Sequence, residues 1–288
     1  MINISEIANA SLKKFGFVHN NMKPELVTAA ETIHQALDGL LSSFIDKKSD
    51  QEKIIPLILI GAGARAAWIE AYINICSGFL PTGRSAIRRA IEFTCYSMKI
   101  AQSKERAKDK ERAKDWVLQI SDSESRKRFI SNFSIPLSYE NNKYKILWQL
   151  IIWHNNYSTF GAHGNFETLV HTYSQVEKEG SIEVETAVHA DDSTAYEEAI
   201  IILILGYRIM QSLRKALDGF LINVKELDEL FKCTFGLIKD VCLANAEEKY
   251  KGKVPRDVYF KICTDDQALI EKEFNELIEK EKSIREKK

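Results

Sequence analysis

The sequence has few residues that interrupt helices. Among its 288 residues there are 5 prolines and 13 glycines. No stretch rich in Gly, Pro or Ser divides the chain, and such stretches are where domain boundaries usually fall. We therefore predict a single helical domain over residues 1–288.

Cysteine is scarce, and charge of one sign is not in excess. The five cysteines form no CxxC pair and no clustered Cys/His spacing, which argues against a disulfide framework and a structural zinc site. Their apolar helical surroundings predict buried free thiols in a reducing cytoplasm. The formal net charge of −1 excludes attraction to nucleic acid or membrane by overall charge.

Long hydrophobic runs and established catalytic motifs are also missing. Residues 1–15 lack the pattern of a signal peptide, and Ala199–Gly206, the most apolar stretch noted, is shorter than the ~20 residues of a membrane helix. We therefore predict no membrane association and a cytoplasmic location. No GxSxG, HExxH or GxxxxGK[ST] motif occurs, so the sequence indicates no cofactor and no metal.

The apolar residues that are present recur three and four positions apart, which is typical of amphipathic helices. Pro24 and Pro56 are predicted to begin two of them, and residues 77–83 to form a turn. Residues 169–188 alternate like a β-hairpin, and residues 264–288 predict a charged C-terminal helix. The predicted fold is all-α, a bundle of about seven or eight helices with one small β-hairpin insertion.

Three charged residues interrupt an apolar helix at four-residue spacing: Arg84, Arg88 and Glu92. On a helical wheel Arg84 lies inside the apolar arc, and the other two lie on its margin. A buried, unpaired arginine costs several kcal/mol, so Arg84 requires a hydrogen-bonded anion.

The preceding helix carries two charges that could pair with this row. If the turn centres near Leu80, Glu70 is level with Arg88, and Arg65 is level with Glu92. We therefore predict crossed ion pairs between the two helices. Such pairs often only fix helix register, and a ligand-binding or catalytic role is the alternative.

A second polar run contains His154, Ser158 and His163. The first two are four residues apart on one helix face, and for His154 we favour a structural role. His163 follows a predicted helix end at Gly161 and is flanked by Gly164, so it could cap carbonyls, satisfy a buried carboxylate, or act as an acid or base. Together with the charged row it defines a predicted polar-pocket core over residues 56–165.

Two motifs carry a resemblance to known proteins: Gly83-Arg84-Ser85-Ala86-Ile87-Arg88-Arg89-Ala90-Ile91-Glu92 and Ser158-Thr159-Phe160-Gly161-Ala162-His163-Gly164. The chain resembles uncharacterised bacterial helical proteins with such motifs, and is distantly similar to HEPN domains of RNA-cleaving toxins and phage-defence systems. The resemblance implies a helical bundle in a system of that kind. The arginine and histidine four to six residues apart that HEPN ribonucleases use do not occur in this sequence.

Two functions remain open. In the first, which we favour, the protein is a non-catalytic binding or regulatory protein. Its site would comprise Arg84, Arg88, Arg65, Glu70, Ser158 and His154, with the guanidinium groups of Arg84 and Arg88 holding an anionic group. The expected partner is a protein, a nucleotide or RNA, and homo-oligomers are left open. In the second, the protein is a hydrolase of RNA or nucleotides with His163 as general acid or base. Arg84 and Arg88 would hold the phosphate, with Arg88 stabilising its developing charge, and Glu92 would orient His163 or Arg88.

Overall fold

The computed structural model describes residues 4–21, 24–43, 51–101, 106–133, 147–160, 173–178, 181–186, 190, 192–218, 220–222 and 224–249. These residues form nine helices and two short strands. The helices are α1 (Ile4–Asn21), α2 (Pro24–Ser42), α3 (Gln51–Cys76), α4 (Leu80–Ala101), α5 (Arg106–Leu118), α6 (Ser123–Phe133), α7 (Trp148–Phe160), α8 (Asp192–Ala216) and α9 (Val224–Lys249). The described part of the chain is thus all-α apart from one two-stranded ribbon.

That ribbon consists of β1 (Tyr173–Lys178) and β2 (Ser181–Thr186). The strands are antiparallel, with Tyr173 opposite Thr186 and Lys178 opposite Ser181. Both lie inside the range 169–188, for which the alternating pattern predicts a hairpin. The predicted C-terminal helix, residues 264–288, lies outside the described residues.

The antiparallel pair α3 and α4 forms the centre of the bundle. Its turn is a Schellman motif, in which Gly78 adopts a φ of 83°. The amide of Phe79 donates to the carbonyl of Asn74, and the amide of Gly78 donates to the carbonyl of Ile75. A positive φ at this position favours glycine, which explains why the connection is so short.

The remaining helices surround this pair. Helix α8 packs on both α3 and α4, α7 packs on α4, and α2 packs on α8 and α9. The indole of the buried Trp68 on α3 donates to the carbonyl of Ile202 on α8 at 3.0 Å. Gly206, one turn further along α8, leaves the space that the indole ring fills.

Several boundaries differ from the predictions. Helix α2 begins at Pro24, as predicted, but Pro56 lies inside α3 rather than at its start. Gln51 begins the helix, and Pro56, lacking an N–H, removes only one hydrogen bond near the N-terminus. Helix α4 begins at Leu80, because Pro81 fits its first turn. Helix α1 was not predicted and brings the described helices to nine.

The prediction that no apolar stretch reaches membrane-helix length is wrong. Residues 54–76 of α3 have the length and composition to cross a membrane, with a mean hydropathy of 1.5. Half of this window is buried inside the bundle. A helix at the centre of a bundle is hydrophobic on most of its circumference and passes the same test.

The cysteines in the described part of the chain are free thiols. Cys76, Cys95 and Cys242 are buried, as predicted, and burial raises the pKa of Cys76 and of Cys95 to about 12. Cys233 is exposed, contrary to the prediction, because it lies one turn after the exposed Glu229 on the outer face of α9. Cys263 lies outside the described residues.

Candidate functional site

The row Arg84, Arg88 and Glu92 lies on the side of α4 that meets α7 and α8. Four-residue spacing keeps the three side chains on one face of the helix. Depth decreases along the row, since Arg84 is buried and the other two reach solvent with about 30% of their side chains exposed. The row therefore divides into a buried part and a part at the surface.

The buried part is an ion pair between Arg84 and Glu198 of α8, which are both 9% exposed. A terminal nitrogen of Arg84 donates to Oε1 of Glu198. The hydroxyl of Tyr157 on α7 donates to the other carboxylate oxygen at 3.1 Å, and the guanidinium lies 5.9 Å from the centre of the Tyr157 ring. Burial, followed by the charge of Glu198, raises the pKa of Tyr157 well above its ordinary value.

The requirement of Arg84 for an anion is thus confirmed, and the anion belongs to the protein itself. Both oxygens of Glu198 accept a hydrogen bond from a neighbouring helix. The charges of the pair cancel inside the bundle. The Nε of Arg84 is buried and has no hydrogen-bond partner among the described residues, so the pair is balanced in charge but not fully hydrogen-bonded.

The outer part of the row joins Arg88 and Glu92 to His154 of α7. The Nε of Arg88 lies 3.2 Å from Oε1 of Glu92 and 3.1 Å from Nε2 of His154, and Nε2 lies 3.0 Å from that same Oε1. The Nε–H of Arg88 is directed at Nε2 of His154, which accepts it when the ring proton is on Nδ1. When the proton is on Nε2, that nitrogen donates to Glu92 instead, so the tautomer of His154 decides between the two contacts.

This contact changes the electrostatics of Glu92. Partial burial acts to raise the pKa of its carboxyl group, but the hydrogen bond to His154 and the interactions with His154 and Arg88 outweigh it. The resulting pKa is lower than the ordinary value of 4.5, so Glu92 is ionised at neutral pH. The Nδ1 atom of His154 is buried and has no hydrogen-bond partner among the described residues.

Ser158 contributes to the helix rather than to the network. Its hydroxyl donates to the carbonyl of His154, one turn earlier, at 2.6 Å. His163 lies outside the described residues, so its distance from the charged row stays a prediction.

The predicted crossed ion pairs between α3 and α4 are wrong. Glu70 pairs with Arg89 at 2.7 Å rather than with Arg88. Arg65 faces α2, where it contacts Asp38 at 3.1 Å. For Glu70 the error is a single residue in register, and one residue rotates a side chain by about 100° around a helix. Arg65 and Glu70 therefore lie apart from the network on α4.

Two members of the network, Glu198 and Tyr157, were not among the predicted site residues. Glu198 lies within a run of buried α8 residues, with Ala195 and Ile202 on the same face. The argument used for Arg84, a charge inside an apolar arc, applies equally to Glu198 and would have found it. Tyr157 gave a weaker signal, because a tyrosine on an apolar face is common.

The described residues contain no group of three or more His, Cys, Asp or Glu side chains that could hold a metal ion. Comparisons with models of protein families, with curated proteins and with solved structures found no match. The chemistry of the site therefore has to be inferred from its own geometry, which is that of a helical protein with buried Arg/Glu/His ion pairs.

Proposed function

We propose that this chain is a non-catalytic binding or regulatory protein, in which the polar network locks α4 against α7 and α8. The proposal includes the setting that the HEPN resemblance implies, a phage-defence or toxin system. One observation carries it. Each arginine of the row already has a carboxylate partner, Glu198 for Arg84 and Glu92 for Arg88.

This pairing argues against an anion site at Arg84. An incoming phosphate would have to displace Glu198 and leave a second negative charge buried beside it. Removing one partner of a buried ion pair costs about 3–5 kcal/mol. A millimolar dissociation constant corresponds to about 4 kcal/mol, so this cost would offset most or all of the binding free energy of a weak ligand.

Arg88 is the better candidate for a phosphate, since its side chain is 31% exposed. Its Nε atom is engaged by Glu92 and His154, so a ligand would have to bind through the terminal nitrogens. Glu92, ionised and adjacent, would repel that ligand. We therefore place partner binding on the helical surfaces rather than at this network.

The same geometry weighs against hydrolysis through the described residues. The low pKa of Glu92 leaves it no proton to donate at neutral pH, and His154 is buried between helices. Acid–base chemistry would then rest on His163, which lies outside the described residues. The hydrolase remains the second candidate and is the reason why His163 belongs in the test.

The test is a thermal-shift screen with nucleotides, inorganic phosphate and a short RNA, combined with an assay of RNA integrity. We compare wild type with Arg88→Gln, with His163→Ala, and with Arg89→Gln as the matched control from the same helix. We expect no ligand to change the melting temperature of wild type and no loss of RNA. A specific ligand raises stability by about 2.7 kcal/mol at a hundredfold excess over its dissociation constant, which the screen would detect.

Two results would overturn the proposal. The first is a thermal shift with a phosphate-bearing ligand that disappears in Arg88→Gln and persists in Arg89→Gln. The second is RNA or nucleotide cleavage by wild type that His163→Ala abolishes while the protein remains folded. The first result would assign an anion site to Arg88, and the second would assign a catalytic role to His163.

A further inference from the structure

Helix α3 presents an apolar face to solvent. Ile55 and Leu59 are each 53% exposed and Ile73 is 47% exposed, while Ala62 and Ala66 between them are also exposed. These positions are three, four or seven residues apart, so they form one stripe along the helix. The stripe is about 27 Å long, at 1.5 Å per residue.

Ion pairs border this stripe on both sides. Arg65 pairs with Asp38 of α2 on one side, and Glu70 pairs with Arg89 of α4 on the other. An apolar centre with a polar rim is the usual anatomy of a protein interface. If the stripe were inserted into a bilayer, both ion pairs would have to enter the lipid, whereas a second helix needs to cover only the apolar centre of the stripe. The rim therefore favours a protein partner over a membrane.

The order of side chains along the stripe is symmetric. Ile55 and Ile73 lie equally far from Ala64, and so do Leu59 and Ile69, as well as the two exposed alanines. Ile69 borders the stripe and is partly buried. Large residues therefore occupy both ends and small residues occupy the middle.

Such a pattern is complementary to itself when reversed. In a two-fold contact, residue i of one copy meets residue j of the other, and j meets i. An antiparallel pair of α3 helices that cross between Ala62 and Ala66, level with the buried Ala64, brings Ile55 of each copy to Ile73 of the other. The alanines meet at the crossing point, where small side chains allow the backbones to approach.

We propose that this stripe is a homodimer interface, in which α3 of a second copy packs antiparallel with the two-fold axis near Ala64. A strip of roughly 27 Å by the 10–12 Å width of a helix covers on the order of 300 Å² per copy. Interfaces below about 1,200 Å² in total belong to weak complexes, so the dimer dissociates on dilution. This dimer proposal goes beyond the proposed function, and it does not depend on whether the polar network on α4 binds phosphate.

The first test measures mass against concentration by analytical ultracentrifugation. Ala66→Glu places a carboxylate opposite Ala62 of the other copy, twice per dimer. We expect wild type to dimerise and Ala66→Glu to associate at least tenfold more weakly, with an unchanged far-UV circular dichroism spectrum. The matched control is Ile120→Glu, because Ile120 is 94% exposed and lies outside the stripe, in the turn after α5; it should dimerise like wild type.

The second test determines direction by thiol cross-linking in a Cys233→Ser/Cys263→Ser background. Ile55→Cys chains are mixed with Ile73→Cys chains and treated with a short bismaleimide. Antiparallel packing gives mixed dimers and leaves each variant alone uncross-linked, because its two thiols lie about 27 Å apart. Parallel packing gives the reverse.

The proposal fails if wild type is monomeric at the highest soluble concentration, or if Ala66→Glu dimerises like wild type. A monomer whose Ile55→Cys thiol is protected from maleimide would show that the chain covers the stripe itself. Binding of monomers to phosphatidylcholine vesicles, lost in Ala66→Glu, would assign the stripe to a lipid surface. Either result rejects the dimer.

Discussion

The ion pair between Arg84 and Glu198 gives the sharpest test of the network. Arg84→Met leaves the Glu198 carboxylate buried with only the hydroxyl of Tyr157 as a partner. Glu198→Met leaves the guanidinium without its carboxylate and the Tyr157 hydroxyl without its acceptor. Methionine is chosen because it is unbranched and fills irregular space in a core.

The expected magnitudes follow from burial. Both partners are 9% exposed, so each single substitution should lower the free energy of unfolding by about 3–5 kcal/mol. Glu198→Met should cost roughly 1–3 kcal/mol more than Arg84→Met, because it also leaves the Tyr157 hydroxyl unsatisfied. The double variant should be more stable than Glu198→Met alone, since it contains no unpaired charge, and adding Tyr157→Phe should recover more stability.

The assay is urea unfolding at pH 7, followed by far-UV circular dichroism and by tryptophan fluorescence. The coupling energy is the effect of the double substitution minus the two single effects, and it should exceed about 3 kcal/mol in magnitude. The matched control is the exposed pair Glu70–Arg89, for which about 0.2–1 kcal/mol is expected. Additive effects within about 0.5 kcal/mol at Arg84 and Glu198 would refute the reasoning.

Two further predictions concern single core positions. Burial, together with the charge of Arg112, lowers the pKa of Lys99 to about 8. From about pH 8 to 10.5 the unfolded chain therefore binds more protons than the folded chain, so the stability of wild type should rise with pH through that window. Lys99→Met should be more stable than wild type at pH 7 by on the order of 1–3 kcal/mol and should lack this rise. Urea unfolding at several pH values measures both effects. Gly206→Ala would place a methyl group 2.7 Å from a ring atom of Trp68 and should lower the free energy of unfolding by about 1–3 kcal/mol. Gly236→Ala, whose new methyl group meets nothing within 4 Å, should raise it by up to about 1 kcal/mol. Equal melting temperatures for the two variants would contradict the packing argument.

The sequence predicted those features of the site that depend on a single helix. A charge inside an apolar arc identified Arg84 as buried and paired, and four-residue spacing placed Arg88 and Glu92 beside it. Both inferences use only helix geometry and the cost of an unpaired charge. The identity of the partners depends on where a second helix lies, and that depends on the packing of side chains along the whole contact.

For the fold too, features that depend on a single helix were predicted better than the packing between helices. Helix α2 was predicted correctly from Pro24 onwards, because a proline fits the first turn and the amphipathic stripe that follows determines the buried side. Helix α3 gave little such signal, since it is apolar around most of its circumference. Its register against α4 was therefore judged from the turn alone, and the error of one residue exchanged Arg88 for Arg89.

The error in the register between α3 and α4 indicates what the polar network on α4 contributes to the fold. Apolar helix faces can slide or rotate against one another at little cost, whereas a buried charge tolerates only the register that meets its partner. Arg84 fixes α4 against Glu198 of α8, and Glu92 fixes α4 against His154 of α7. Because apolar replacements of buried pairs are often neutral or stabilising, we infer that the network specifies which faces meet rather than adding stability.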